Sequence, residues 1–136
     1  INLRLPGVLT SSKNYSRPWL KTIIKKIKNN KTVSIYNHKF FFNNVIDTHE
    51  INNFINYLLE KRLFKKKIRN SFNLAALKAE KMIDIILFIK KYFSSSSKIM
   101  IKKKSTKNYS INISKIRNKT KFLPSTTFDI IKRNVS

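Results

Sequence analysis

The opening segment of the chain constrains the fold most, because it predicts a strand that ends at a proline-glycine pair. Apolar Ile1, Leu3 and Leu5 alternate with polar residues, which is the period of a strand with one buried face. Pro6 has no backbone N–H to donate a hydrogen bond to a neighbouring strand, and Gly7 favours a change of chain direction. The strand is therefore expected to stop there. A sequence that begins inside a strand and without methionine also resembles a piece of a longer protein.

The charge balance suggests one class of partner, although codon usage offers another explanation. Lys and Arg number 30 against 6 Asp and Glu, which gives a formal net charge of +24. Such a balance is typical of proteins that bind nucleic acid or an anionic surface. However, Lys, Ile and Asn are the commonest residues and share adenine/thymine-rich codons, and the basic residues are scattered apart from 65–67 and 102–104. We therefore expect no specific nucleic-acid partner, and keep a small basic binding module as the alternative function.

Hydropathy and cysteine content restrict the classes of protein to which the chain could belong. Hydrophobic residues make up 41% of the chain, enough for a modest core in one domain. The longest apolar run, residues 85–89, is far too short to span a bilayer, so no transmembrane segment is expected. Cysteine is absent, which excludes disulfides and thiolate metal sites and fits a cytoplasmic protein. The only histidines, His38 and His49, do not suggest a metal site.

Helical and strand patterns alternate along the chain. The first helix is predicted to begin at Pro18 and to bury Leu20, Ile23, Ile24 and Ile27. Further helices are predicted after an Asp47 cap with Glu50 in a capping box, over 79–93, from a Ser114 cap, and after the capping segment 124–127. Strands are predicted at 32–36, 71–75 and 98–102, with an extended segment through 40–46 and a linker at 94–97. The pattern predicts an α/β fold whose short strands belong to the edge of a sheet.

Two of the predicted helices carry particular expectations about burial. The helix after Asp47 is expected to bury a stripe of Ile51, Phe54, Ile55, Leu58 and Leu59. The helix over 79–93 is apolar around most of its circumference, so it is expected to be buried on two sides.

Six segments, in order, resemble one enzyme family. They are the strand end at 3–8, the aromatic Trp19 near a helix start, the strand 33–36, the stretch 42–51, the Phe-Asn-Leu strand at 72–75, and the segment 115–126 that contains Phe-Leu-Pro at 122–124. This order is similar to that of the NAD-dependent epimerase/dehydratase family, the extended short-chain dehydrogenase/reductases. The stretch 42–51 departs from the family pattern, since Asp47 stands where histidine is usual and Glu50 where aspartate is usual.

The resemblance implies a fold, a domain organisation and a function. The chain would be the C-terminal part of a Rossmann-like protein, with 1–10 the last part of the sheet, 11–136 the substrate-binding region, and the N-terminal dinucleotide-binding half absent. The parent protein would be an NAD(P)-dependent nucleotide-sugar epimerase, dehydratase or reductase. NAD or NADP would be its cofactor, while the chain alone would bind none.

The resemblance also implies candidate site residues. Pro6 and Gly7 would lie at the cofactor, and Trp19, Asn43 and Asn44 would contact the substrate. Many relatives carry arginine near the position of Asn43, which contacts the diphosphate, and asparagine at that of Gly7, which contacts the sugar. Both departures leave the nucleotide-sugar assignment open.

The residues that define the family's chemistry are not predicted in this chain. A dinucleotide site needs a glycine-rich turn, and the chain has a single glycine. Tyr57 and Lys61 match the Tyr-x-x-x-Lys pattern, but a match is expected by chance in so lysine-rich a chain. The family's catalytic pair precedes the Leu-Arg-Leu-Pro segment, whereas Tyr57 follows it. No residue of the chain is therefore predicted to be catalytic.

Overall fold

The computed structural model describes residues 1–10, 16–63, 71–103 and 107–135, in which helices and short strands alternate as predicted. The helices in this part of the chain are α1 (Pro18–Lys28), α2 (Thr48–Glu60), α3 (Met82–Tyr92), α4 (Ser114–Thr120) and α5 (Thr127–Val135). The strands are β1 (Asn2–Arg4), β2 (Gly7–Leu9), β3 (Val33–Tyr36), β4 (Phe41–Phe42), β5 (Val45–Asp47), β6 (Ser71–Asn73), β7 (Glu80–Lys81) and β8 (Ile99–Lys102).

The strands pair two by two. β1 with β6, β2 with β5, and β3 with β8 are parallel, whereas β4 and β7 are antiparallel. The first ladder ends at Arg4, as the Pro6–Gly7 pair predicted, but a second strand begins only three residues later. The chain enters β2 at Gly7 and pairs with β5 instead. The proline-glycine pair therefore moves the chain from one partner strand to another.

The opening strand is only partly buried. Leu3 packs against the core, but Ile1 is 40% exposed and Leu5 is 43% exposed. In the described part of the chain β1 pairs with β6 alone, and this ladder covers only Asn2–Arg4, so Ile1 and Leu5 lie outside it. Burial of Ile1 and Leu5 is expected only against the dinucleotide-binding half of the parent protein, so it stays a prediction.

Helix α1 has the predicted position and face. It begins at Pro18, and Leu20, Ile24 and Ile27 are buried. Pro18 suits this position because the first helical N–H has no intrahelical acceptor, and its ring fixes φ in the helical range. The helix packs against α3 and β3, so its apolar face closes one side of the core.

Helix α3 is buried on one side. Ile85, Ile86 and Ile89 are fully enclosed, whereas Leu87 is 48% exposed. The helix contacts α1 and α5. Burial of a second face is expected only against the dinucleotide-binding half of the parent protein, so it stays a prediction.

Helix α2 buries a narrower stripe than predicted. Phe54 and Leu58 are buried, while Ile55 and Leu59 are exposed. The rings of Tyr57 and Phe122 show why, since they lie 5.5 Å apart and extend the inner face toward the position of Tyr57. The outer positions of the predicted stripe consequently face solvent.

The start of α2 is joined to α5 by a polar group that we call the carboxylate cluster: Asp47, Glu50, Ser125, Arg133 and Asn134. Asp47 caps α2 as predicted, because its Oδ1 accepts a hydrogen bond of 2.8 Å from the backbone N–H of Glu50. Its Oδ2 accepts from Arg133 Nε and Asn134 Nδ2, each at 3.0 Å. The Glu50 carboxylate accepts from Ser125 and Arg133 Nη2, so it binds the C-terminal segment and does not complete the predicted capping box.

The two C-terminal helices begin differently. Ser114 was predicted to cap α4, but it is the first residue of that helix. Its backbone N–H donates a hydrogen bond to Asn112 Oδ1. Thr126 Oγ1 accepts from the N–H of Asp129, which confirms a cap for α5 within 124–127. In the described residues, no helix has the length and apolar character needed to cross a bilayer.

Candidate ligand-binding site

A cavity of about 290 Å³ lies where the start of α1, the turn before β5 and the start of α3 converge. The segment after β8 forms its fourth wall. The residues that line it are Arg17, Trp19, Asn37, Phe40, Phe41, Phe42, Asn44, Met82, Lys107, Asn108 and Tyr109. Two of the predicted substrate-binding residues, Trp19 and Asn44, are therefore brought together here, although they are far apart in the sequence.

Trp19 separates this cavity from a larger cleft. It occupies the second position of α1 and meets Phe42 of β4 edge to face, with ring centroids 5.3 Å apart. The cleft on its other side, about 570 Å³, is bordered by β3 and by the exposed ring of Tyr36. A ligand with a planar group could therefore contact Trp19 from either side.

The two adjacent asparagines have different environments. Asn43 Nδ2 donates to the carbonyls of Ala76 and Ile111, and its Oδ1 accepts from the Ile111 N–H at 2.8 Å. Asn43 thus holds the segment at 111 against the turn. Asn44 is only 5% exposed, yet its Oδ1 has no hydrogen-bond partner among the described residues. Substrate contacts by Asn43 and Asn44 both stay predictions.

Of the proposed cofactor residues, Pro6 lies between β1 and β2, and Gly7 is the first residue of β2. Pro6 is half-buried, and Gly7 is buried beneath the side chain of Arg17. The Nε of Arg17 is enclosed and has no hydrogen-bond partner in the described ranges. Sequence reasoning missed Arg17, because an arginine before a helix-starting proline indicates nothing until its distance to Gly7 is known.

The cations of the cavity suit an anionic ligand. Arg17 and Lys107 both line it, and its described lining contains no carboxylate. A guanidinium and an ammonium group are the side chains that bind phosphate oxygens most readily. With Trp19 and Tyr109 beside them, the walls offer aromatic surface together with positive charge.

Tyr57 and Lys61 do not form a reactive pair. The Tyr57 hydroxyl donates to the backbone carbonyl of Thr120 at 2.5 Å, and Lys61 Nζ lies 6.0 Å from the Tyr57 ring centre. The tyrosine therefore joins α2 to the end of α4. The described residues contain no group of three or more His, Cys, Asp and Glu side chains that could hold a metal ion.

Comparison with known proteins identifies the fold. No family model and no curated protein matches the sequence. Among solved structures, GDP-mannoheptose C4 reductase from Campylobacter jejuni is 18% identical, with a TM-score of 0.74 over 97% of this chain and 47% of that protein. UDP-N-acetylglucosamine 4-epimerase from Bacillus cereus is 12% identical, with a TM-score of 0.70 over 98% of this chain and 44% of that protein.

A third match has the same partial coverage. dTDP-glucose 4,6-dehydratase from Bacillus anthracis is 14% identical, with a TM-score of 0.68 over 98% of this chain and 42% of that protein. The chain thus spans less than half the length of each of these three enzymes. The fold class predicted from the sequence is confirmed: the chain has the fold of the C-terminal portion of NAD(P)-dependent epimerases, dehydratases and reductases of the extended short-chain dehydrogenase/reductase type.

Proposed function

We propose that this chain forms the substrate-binding portion of an NAD(P)-dependent nucleotide-sugar epimerase, dehydratase or reductase. The observation that carries the proposal is the fold shared with such enzymes over nearly the whole chain. In this proposal residues 1–10 belong to the last part of a Rossmann-like sheet and 11–136 hold the substrate. The similar enzymes are named for GDP-, UDP- and dTDP-linked sugars, which supports a nucleotide-sugar ligand in general and no particular sugar.

The cavity beside Trp19 is the proposed position of the substrate. Its aromatic walls can pack against a base or a sugar ring, its cations can bind a diphosphate, and Asn44 Oδ1 can accept a hydrogen bond from a hydroxyl. Asn43 would act by fixing the turn that presents Asn44, through its bonds to Ala76 and Ile111.

The residues of this chain do not suffice to hold the dinucleotide. The backbone around a pyrophosphate needs several glycines in a tight turn before a helix, and Gly7 is the only glycine. Arg17 covers the side of Gly7 on which a side chain would lie. We therefore assign NAD or NADP mainly to other parts of the parent protein, with Pro6 and Gly7 as proposed contacts at the boundary. The alternative of a small basic binding module gains no support from the structural matches.

Fluorescence of the single tryptophan tests the proposal. Because Trp19 lines the cavity, addition of GDP, UDP or dTDP should change its emission with a dissociation constant of about 1 mM or tighter. Asn44→Ala should weaken that binding at least about threefold, since a charge-free contact contributes roughly 1 kcal/mol. Asn52→Ala, at an exposed position of α2, is the matched control and should bind normally. The absence of a saturable response to all three diphosphates would contradict the proposal.

A further inference from the structure

An arginine side chain occupies the space beside the only glycine of the chain. Arg17, at the capping position of α1, packs so closely on Gly7 of β2 that an added Cβ would overlap its Cγ and Nε and lie 2.7 Å from its Cδ. The φ angle of Gly7 is not in the left-handed region, so the backbone does not require glycine there. Glycine therefore serves this position by leaving room for Arg17.

Two enclosed polar atoms, which belong to residues that line this cavity, have no partner among the described residues. Arg17 Nε is a donor and Asn44 Oδ1 is an acceptor, and neither is hydrogen-bonded within the described residues. Both residues line the cavity next to Lys107. Burial of unpaired polar atoms is unfavourable, and native proteins keep few of them. A ligand in the cavity that carries an anionic group and a hydroxyl or N–H donor would lie beside both residues.

We propose that Arg17, held in place by the absence of a side chain at Gly7, is the residue that binds the diphosphate of the substrate. Asn44 then accepts a hydrogen bond from a hydroxyl or N–H of the same ligand. The inference depends on the proposed function for the identity of the ligand, but not for the presence of an anion site. Arginine suits this role because its planar group can donate two parallel hydrogen bonds to phosphate oxygens.

The test compares three variants for binding of UDP, GDP and inorganic pyrophosphate by calorimetry at about 0.15 M salt, where scattered surface charges are screened. Arg17→Met and Gly7→Ala should each raise the dissociation constant of the diphosphates at least about tenfold, as expected for loss of a hydrogen bond to a charged group. Gly7→Ala changes no charge, so its effect would come from displacement of Arg17. Arg117→Met, on the exposed face of α4, removes one charge elsewhere and should change binding less than about twofold.

The double variant sharpens the test. If both substitutions act through Arg17, then Gly7→Ala combined with Arg17→Met should bind no more weakly than Arg17→Met alone. Thermal unfolding should show that Gly7→Ala keeps the fold, since its Cβ meets only a flexible side chain. Arg17→Met provides an independent result if Gly7→Ala does not fold.

The outcomes separate this inference from the proposed function. Nucleoside diphosphate binding that is unaffected by Arg17→Met would overturn the inference and leave the proposed function standing. Pyrophosphate binding that depends on Arg17, with UDP and GDP binding no more tightly than pyrophosphate, would support the anion site and contradict nucleotide recognition. If none of the three probes binds, both the inference and the proposed function are overturned.

Discussion

Replacement of Arg133 by methionine is expected to lower the free energy of unfolding by about 3 to 5 kcal/mol. Arg133 is the cation of the carboxylate cluster, at 3.0 Å from Asp47 and 3.1 Å from Glu50. Those carboxylates are only 2% and 3% exposed, so the variant would leave two buried charges without their cation. Urea unfolding followed by circular dichroism measures the loss.

Two further variants establish the cause of that loss. Arg117→Met removes an exposed arginine of α4 and should change stability by less than about 0.5 kcal/mol. The triple variant Asp47→Asn, Glu50→Gln, Arg133→Met removes all three charges and keeps a residue type that can cap α2. It should recover at least half of the loss, because unpaired buried charge is the expected origin. Equal instability of the triple and single variants would contradict this explanation.

Truncation of Phe54 should be comparably destabilising. Its side chain is fully buried in α2, and its ring lies 5.0 Å from that of Phe122. Phe54→Ala would leave a large cavity at the contact between α2 and the segment after α4, at a cost of about 3 to 5 kcal/mol. Chemical denaturation provides the measurement.

The neighbouring position gives a matched control for Phe54. Ile55 is 39% exposed although the spacing of apolar residues had placed it in the buried stripe. Ile55→Ala should therefore cost less than about 1 kcal/mol. A loss at Ile55 as large as that at Phe54 would mean that α2 is rotated relative to the structure described above.

Features set by neighbouring residues could be predicted from the sequence. Pro18 and the spacing of Leu20, Ile24 and Ile27 fixed the start and the inner face of α1, since capping and periodicity act within one or two turns. The Asp47 cap was predicted for the same reason. The order of motifs added the fold class, which no local pattern could have supplied.

Features that depend on distant residues could not be predicted in the same way. The exchange of partner strands after Pro6 requires knowledge of β5 and β6. Glu50 binds Ser125 and Arg133, which are 75 and 83 positions away, and nothing in the capping pattern indicates them. The residues of the candidate site also divide into those that the sequence indicated and those that only the structure revealed. Trp19 and Asn44 were named from the resemblance, whereas Arg17 became visible only through its contact with Gly7.

We propose above all that this chain supplies a substrate-binding portion and that other parts of the parent protein hold the dinucleotide. The most direct measurement is calorimetric titration of NAD and NADP, first into the chain and then into the protein encoded together with its preceding in-frame coding sequence. We expect no saturable binding by the chain, because it has a single glycine. We expect micromolar binding by the longer protein, whose added sequence should contain a glycine-rich turn. Micromolar binding of either dinucleotide by the chain, or none by the longer protein, would contradict the account.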